Sequence, residues 1–417
     1  MNEKPVAIVL GGIVPHKNLL EKLKKRGYYT ILIDYFENPP AAAAADLHLR
    51  ESAMDKEAVL RAAKKYHAAL VLCTCLDQQI KIACEVAEEL NLPHPYSSKK
   101  AIEVTNKEKM KQIMWKNGIP TSRYFSVHDV SEVHEIGLQF PIMVKPADSC
   151  GSAGIKKVEN QEEVRRAVEN ALKWSATRSA VIEEFVEGTE VSVYTFIEDH
   201  KAHVLLTSQR FSELGEDGTC IKCYASIAPA AVSDELLSDM EKLGTQIAEV
   251  FGLDHTAMFY QCMVKDKKIK VIEFAPRISG GICFRTIEEN TGFDIISAAI
   301  DSWLGNPVDM TYHRPEVYNM TQQIHARPCV FDHIEGAEAL KEQGILDTLF
   351  LHKTKGAQMS DDKASSARVA AALIRTEKRS ELPHLAKMVV DGLTVFDENG
   401  VDVSDRTLYL REKDLQS

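Results

Sequence analysis

The chain has 417 residues, 45% hydrophobic and 27% charged, with a formal net charge of −11. That length predicts two or three domains with real cores, and the acidic balance leaves no footprint for nucleic acid or an anionic membrane surface. No stretch approaches the ~20 apolar residues that cross a bilayer, and MNEKPVAIVLGG lacks the layout of a signal peptide, so a cytoplasmic location is expected.

In chain order, VAIVLGG, the amphipathic LLEKLKKRG and YYTILID predict strand, helix and strand, with Gly27 stopping the helix. Ala41 to Ala45 reads as a loop or short helix, and AALVLCT as another buried strand. Residues 1–100 thus predict a Rossmann-like domain. Asp34 stands about twenty residues after Gly12, where a dinucleotide fold keeps its ribose-binding acid, but G-x-G-x-x-G is absent and no dinucleotide is expected.

A new unit begins at Thr105-Asn106-Lys107-Glu108, where Thr105 and Glu108 have capping-box spacing. Met110, Ile113 and Met114 share the next helix's apolar face, and Gly118 with Pro120 ends it. A polar helix follows over Gln161 to Ser175. Strands are expected at AVIEEFV, EVSVYTF, Phe259 to Met263 and Lys270 to Phe274. From about residue 306 the pattern becomes a mixed α/β tail with a charged loop at Ser360 to Ser366. The nine cysteines are odd in number and scattered, which suits reduced thiols. Cys220 and Cys223 form a CxxC with no second pair nearby, so buried or incidental thiols are expected there in preference to zinc or redox chemistry.

The stretch FPIMVKPADSCGSAGI, residues 140–155, places Lys145 at the end of an apolar strand and ahead of Gly151 and Gly154. In a P-loop the glycines precede the lysine, so this is a different arrangement. Backbone N–H groups in such a loop can lie against phosphate oxygens, because glycine has no Cβ in the way. A hairpin loop with a solvated lysine is the alternative.

Lys107, Lys145, the Glu183-Glu184-Phe185-Val186 run, Glu190, Gln261, Glu273 and Arg277, in that order, resemble the ATP-grasp superfamily. The resemblance covers residues 1–305 strongly and the tail weakly. It implies an α/β and α+β multidomain fold: a Rossmann-like domain over 1–100, a two-lobed ATP-grasp domain over 101–305 with its small lobe at about 115–185, and a C-terminal α/β subdomain over 306–417. It also implies that Lys107, Lys145 and the loop of Gly151, Ser152 and Gly154 hold ATP phosphates. Glu184 and Val186 would offer peptide groups to adenine, Glu183 a side-chain contact, and Glu190 a ribose contact. Gln261 and Glu273, twelve apart on neighbouring strands, would share Mg²⁺, with Mn²⁺ allowed by the same oxygen donors. The Gln-then-Glu order is similar to the carbamoyl-phosphate synthetase branch. Ala275 departs from Glu-x-Asn-Pro-Arg and removes one metal ligand.

Arg277, delocalised and bidentate, suits a transferring phosphoryl group or an acyl phosphate. Arg277, Gly280 and Gly281 resemble the R-x-x-G-G run of amino-acid and dipeptide ligases, which implies substrate binding there and an ATP-dependent carboxylate-amine ligase releasing ADP and phosphate. Small residues opening a helix are the other explanation of Gly280-Gly281. A bicarbonate-activating enzyme and a non-catalytic nucleotide-binding module are the competing functions. The expected partners are a small carboxylate and an amine. A homo-oligomer is compatible with the sequence. His16, Arg210 and Arg285 are further candidate substrate contacts near predicted loops.

Overall fold

In the computed structural model the described residues are 4–134, 136–149, 153–215, 218, 222–361 and 366–415. Cys150, Gly151, Ser152 and Cys220 lie outside them, so the expectations for the glycine loop and for the CxxC pair are only partly placed.

The first sheet is parallel, in the order β3-β2-β1-β4. Its strands are β1 (Val6–Leu10), β2 (Tyr29–Ile33), β3 (Leu47–Leu49) and β4 (Ala68–Leu72), and the associated helices are α1 (Val14–Lys25), α2 (Lys56–Lys65) and α3 (Asp77–Leu90). Strand interiors are apolar on both faces, as a covered parallel sheet requires. Gly27 follows α1 with φ +89, a conformation glycine adopts without Cβ strain. Ala42–Ala44 form one 3-10 turn. Asp34 accepts hydrogen bonds from the N–H groups of Gly12 at 2.6 Å and Phe36 at 2.9 Å.

Helices α4 (Ser98–Thr105) and α5 (Lys107–Lys116) meet at Asn106, whose side chain caps α5 by accepting from the Lys109 N–H at 3.0 Å. This corrects the capping-box reading: Thr105 belongs to the preceding helix, donates to Ala101 O, and leaves the cap to its neighbour. A four-stranded antiparallel sheet in the order β5-β8-β6-β7 forms the small lobe, from β5 (Tyr124–Val127), β6 (Ile142–Pro146), β7 (Lys156–Val158) and β8 (Ala180–Glu184), covered by α6 (Gln161–Trp174). Pro146 is the last residue of β6 and sits opposite Ala180.

The large sheet runs β13-β12-β9-β10-β11-β14-β18-β16, all antiparallel, with β20 beside β14. Its members are β9 (Thr189–Glu198), β10 (Lys201–Glu213), β11 (Lys222–Ala228), β12 (Thr256–Lys265), β13 (Lys268–Ala275), β14 (Tyr318–Ala326), β16 (Thr348–Leu351), β18 (Arg368–Thr376) and β20 (Ser404–Asp405). Helix α7 (Asp234–Phe251) packs on one face. Helices α8 (Cys283–Thr291) and α9 (Ile295–Leu304) join the core of the first sheet, where Arg26, just after α1, pairs with Asp301 at 2.5 Å. The sheet crosses residue 306 without interruption. The tail adds a small sheet, β17-β15-β19, from β15 (Cys329–Glu335), β17 (Gln358–Met359) and β19 (Thr394–Asp397), together with α10 (Ala337–Glu342), α11 (Leu382–Gly392) and an apolar cluster around Met320, Ile374 and Val389. Among the described residues no helix is long and apolar enough to cross a membrane.

Candidate functional site

Between the small lobe and the large sheet lies a cavity of about 490 Å³. Strand alternation decides which side chains enter it. In β6, Ile142 and Val144 join the small-lobe core while Met143 and Lys145 line the cavity. In β8 the same rule buries Ile182 and turns Glu183 inward. In β12, Tyr260 and Cys262 pack against α7 as Gln261 and Met263 face the opening.

Lys145 and Glu183 are both buried and directly paired. The carboxylate also pairs with Lys111 of α5 and accepts from Ser122 Oγ at 2.5 Å. Lys111 Nζ in turn donates to the hydroxyls of Thr121 and Ser122 at 2.8 Å each. Burial opposes every charge here. For Glu183 the adjacent ammoniums outweigh burial and hold its carboxyl well below the usual range, whereas for Lys111 burial wins and its ammonium is pulled down. Burial also disfavours the Lys145 ammonium, but Glu183 more than compensates and raises it. The Glu183 carboxylate, part of the cavity lining, is thus shared between two lysines, one of them Lys145.

Glu184 and Val186 border the cavity. The Glu184 N–H donates to Arg123 O at 3.0 Å, and its carboxylate accepts from the Gln139 N–H at 3.2 Å. Glu190 lines the same space and holds Arg210 at 2.7 Å. Gln261 is directly opposite Glu273 in the β12–β13 ladder, so their side chains emerge side by side. Lys107, the first residue of α5, donates to Ser149 O at 2.7 Å and lies 3.8 Å from Glu273. Gly154 also meets a packing demand. It has φ +71, and a Cβ there would come within 2.8 Å of both Pro146 and Trp174, while Ile155 lines the cavity.

A second cavity, about 140 Å³, adjoins the first through Lys107, Ile155 and Glu273. Arg277 borders it, with its guanidinium 5.0 Å from the Phe259 ring centroid and doubly bonded to Asp77 at 2.5 and 2.6 Å. Burial would lower the Arg277 pKa, but the Asp77 carboxylate raises it. Ala275 contributes a methyl to this wall. Gly280 and Gly281 line neither of these two spaces. They border a third cavity of about 250 Å³ with Arg210, Asn319, Gln323 and Arg368. A Cβ on Gly280 would meet nothing within 4 Å, whereas Gly281 has φ +73.

Two other candidates are corrected. His16 is fully buried, its Nδ1 is 2.5 Å from Gly11 O, and burial lowers its pKa to about 4, so it is a neutral core residue. Arg285 pairs with Glu288 and Glu289 on its own helix. Sequence reasoning missed Lys111, Asp77 and Arg368. Lys111 left one signal, its place beside Met110 and Met114 on the buried side of α5. The others depend on tertiary contacts.

Residues 105–281 match the family model of the phosphoribosylglycinamide synthetase ATP-grasp (A) domain. The chain is 25% identical over 281 residues to a formate-dependent phosphoribosylglycinamide formyltransferase of Prochlorococcus marinus, covering 65% of this chain and 69% of the relative. It is 24% identical over 212 residues to the carbamoyl phosphate synthase large chain of Halobacterium salinarum, covering 49% of this chain and 19% of that one. Its fold is similar to the crystal structure of an L-amino acid ligase from Bacillus licheniformis, with a TM-score of 0.79 at 20% identity, covering 96% of this chain and 100% of the other.

Proposed function

We propose, from the premise that this chain belongs to the ATP-grasp superfamily, that it is an ATP-dependent ligase which converts a carboxylate to an acyl phosphate and couples it to an amine, with release of ADP and phosphate. The observation that carries this reading is the junction of the two cavities. Lys107 and Glu273 belong to both, so a nucleotide in the larger space ends where Arg277 borders the smaller one.

Adenine fits the wall formed by Glu184 and Val186, and Glu190 lies within reach of the ribose. Lys145 and Lys107 offset phosphate charge. Gln261 and Glu273 supply one amide oxygen and one carboxylate, a donor set that suits Mg²⁺ whose remaining ligands are phosphate oxygens and water. When bound, that ion withdraws charge from the phosphate oxygens. Among the described residues no group of three or more His, Cys, Asp or Glu forms a metal centre, which agrees with an ion brought in largely by the nucleotide. Arg277 steadies the carboxylate and the phosphoryl group passed to it, and the amine then expels phosphate. Seven described cysteines are free thiols, in keeping with a reducing, cytoplasmic setting.

Phosphate release from ATP tests the reaction. Stimulation by an amino-acid mixture, with ¹⁸O passing from the substrate carboxylate into phosphate, is the expected result. Stimulation by bicarbonate alone would favour the second reading, which rests on the Gln261–Glu273 pair and the carbamoyl phosphate synthase similarity. AMP in place of ADP would overturn both. Lys145→Ala should weaken ATP binding about 10- to 150-fold by calorimetry, the equivalent of one charge-assisted contact of about 1.5 to 3 kcal/mol. Unchanged affinity would remove Lys145 from the phosphate site.

A further inference from the structure

One helix end reaches two walls of the second cavity. Asp77 and Gln78 open α3, where side chains at successive positions point about 100° apart. Asp77 holds Arg277 by two bonds, and Gln78 Nε2 donates to Asp148 O at 3.2 Å. The reaction above does not use Gln78.

Ala147, Asp148 and Ser149 follow β6, and all three of their carbonyls are taken by donors from other elements. Ala147 O accepts from the Lys107 N–H at 2.7 Å, Asp148 O from Gln78, and Ser149 O from Lys107 Nζ at 2.7 Å. The segment is also tied to residues just ahead of β8. The Ala147 N–H donates to Ser179 O at 2.9 Å, and Asp148 Oδ2 accepts from the Thr177 N–H at 2.9 Å. Gln78, Lys107 and Ser149 all border the second cavity.

The two side-chain donors are not equivalent. Lys107 Nζ also serves the nucleotide cavity and lies 3.8 Å from Glu273, so phosphate and Ser149 O draw on the same ammonium. Gln78 is neutral and borders the second cavity but not the first, so its hold on Asp148 O survives the arrival of a nucleotide.

We propose that Gln78 is a positioning residue for the ligase reaction: it pins the segment after β6 as a wall of the second cavity, so that the γ-phosphoryl group passes to the acid and not to water. The proposal deepens the ligase reading and rests on it. With the wall loosened, water attacks the γ-phosphorus, the bond to the β,γ-bridging oxygen breaks, and ADP, phosphate and a proton leave with no acyl phosphate formed.

Phosphate release from MgATP by the full chain, measured without any acid and with the amino-acid mixture, tests this. Gln78→Met keeps the length of the side chain and loses the donor. It should raise the acid-free rate about threefold or more, while the ratio of stimulated to acid-free rates falls by about fivefold or more. Gln78→Lys, whose ammonium donates to Asp148 O, should return that ratio toward wild type. A side chain that only packed would be replaced as well by methionine as by lysine. Circular dichroism checks that each variant is folded, and MgADP affinity by calorimetry should stay within about twofold of wild type, since Gln78 does not border the nucleotide cavity. If folded Gln78→Met shows no rise in the acid-free rate, or if Gln78→Lys is no closer to wild type than Gln78→Met, the proposal is overturned. A wild-type chain that no acid stimulates would count against the ligase reading instead, and the acid-free rates of the variants would still show whether Gln78 keeps water from the γ-phosphoryl group.

Discussion

Replacing Arg277 with alanine should lower turnover by ~10² or more, the scale of a lost preorganised electrostatic contact, with a smaller change in ATP affinity. Lysine should rescue poorly, because an ammonium has neither the planar fork nor the delocalised charge that lies over Phe259. The substitution also leaves the carboxylate of Asp77 without its partner, so Asp77→Ala is the necessary companion. If Arg277 acts only as a tie between the start of α3 and the segment after β13, the two variants will lose the same activity. The catalytic reading requires the arginine variant to be much the worse at equal stability. Steady-state kinetics beside urea melts of both proteins separates the cases.

The other large effect is on stability. Glu183→Gln should destabilise the fold by about 3 kcal/mol or more, because it removes the single carboxylate between two buried ammoniums. Adding Lys111→Met should recover part of that loss, since the second variant has one fewer unpaired charge to bury. Additive losses in the double variant would show that the three groups do not act together. The pH dependence has a definite sign. The folded-state pKa of Glu183 is depressed below its unfolded value of about 4.3, so its contribution is fully present above that value and is lost as pH falls toward the folded pKa. Equilibrium unfolding below pH about 4 should therefore be steeper for wild type than for Glu183→Gln.

What could be read from the sequence follows the range of each signal. An apolar run is a local signal, so Lys145 could be read as the end of its strand, and the twelve-residue interval between Gln261 and Glu273 became a direct cross-strand pair once β12 and β13 formed a hairpin. The capping box missed by one residue because Thr105 ends the preceding helix and donates its hydroxyl to Ala101 O, so Asn106, between the two helices, caps α5. Gly154 is read as a phosphate glycine, and its missing Cβ also leaves room for Pro146 and Trp174, which no short motif reveals. Asp77 and Arg277 are 200 positions apart. No periodicity links them, and the pairing exists only because the start of α3 meets the segment after β13.

The uninterrupted large sheet makes the tail inseparable from the enzyme. β11 is bonded to β14 from Ala225 opposite Gln322 to Ala228 opposite Asn319, so a chain stopped at 305 would expose that edge and uncover Phe211 and Ile227. The third cavity is likewise divided between the two halves, with Gly280 and Gly281 before the junction and Asn319, Gln323 and Arg368 after it. Grafting the tail of one such chain onto the body of another would thus transplant half a mould along with its hydrogen-bond ladder, and the hybrid would inherit its taste for substrates from both parents.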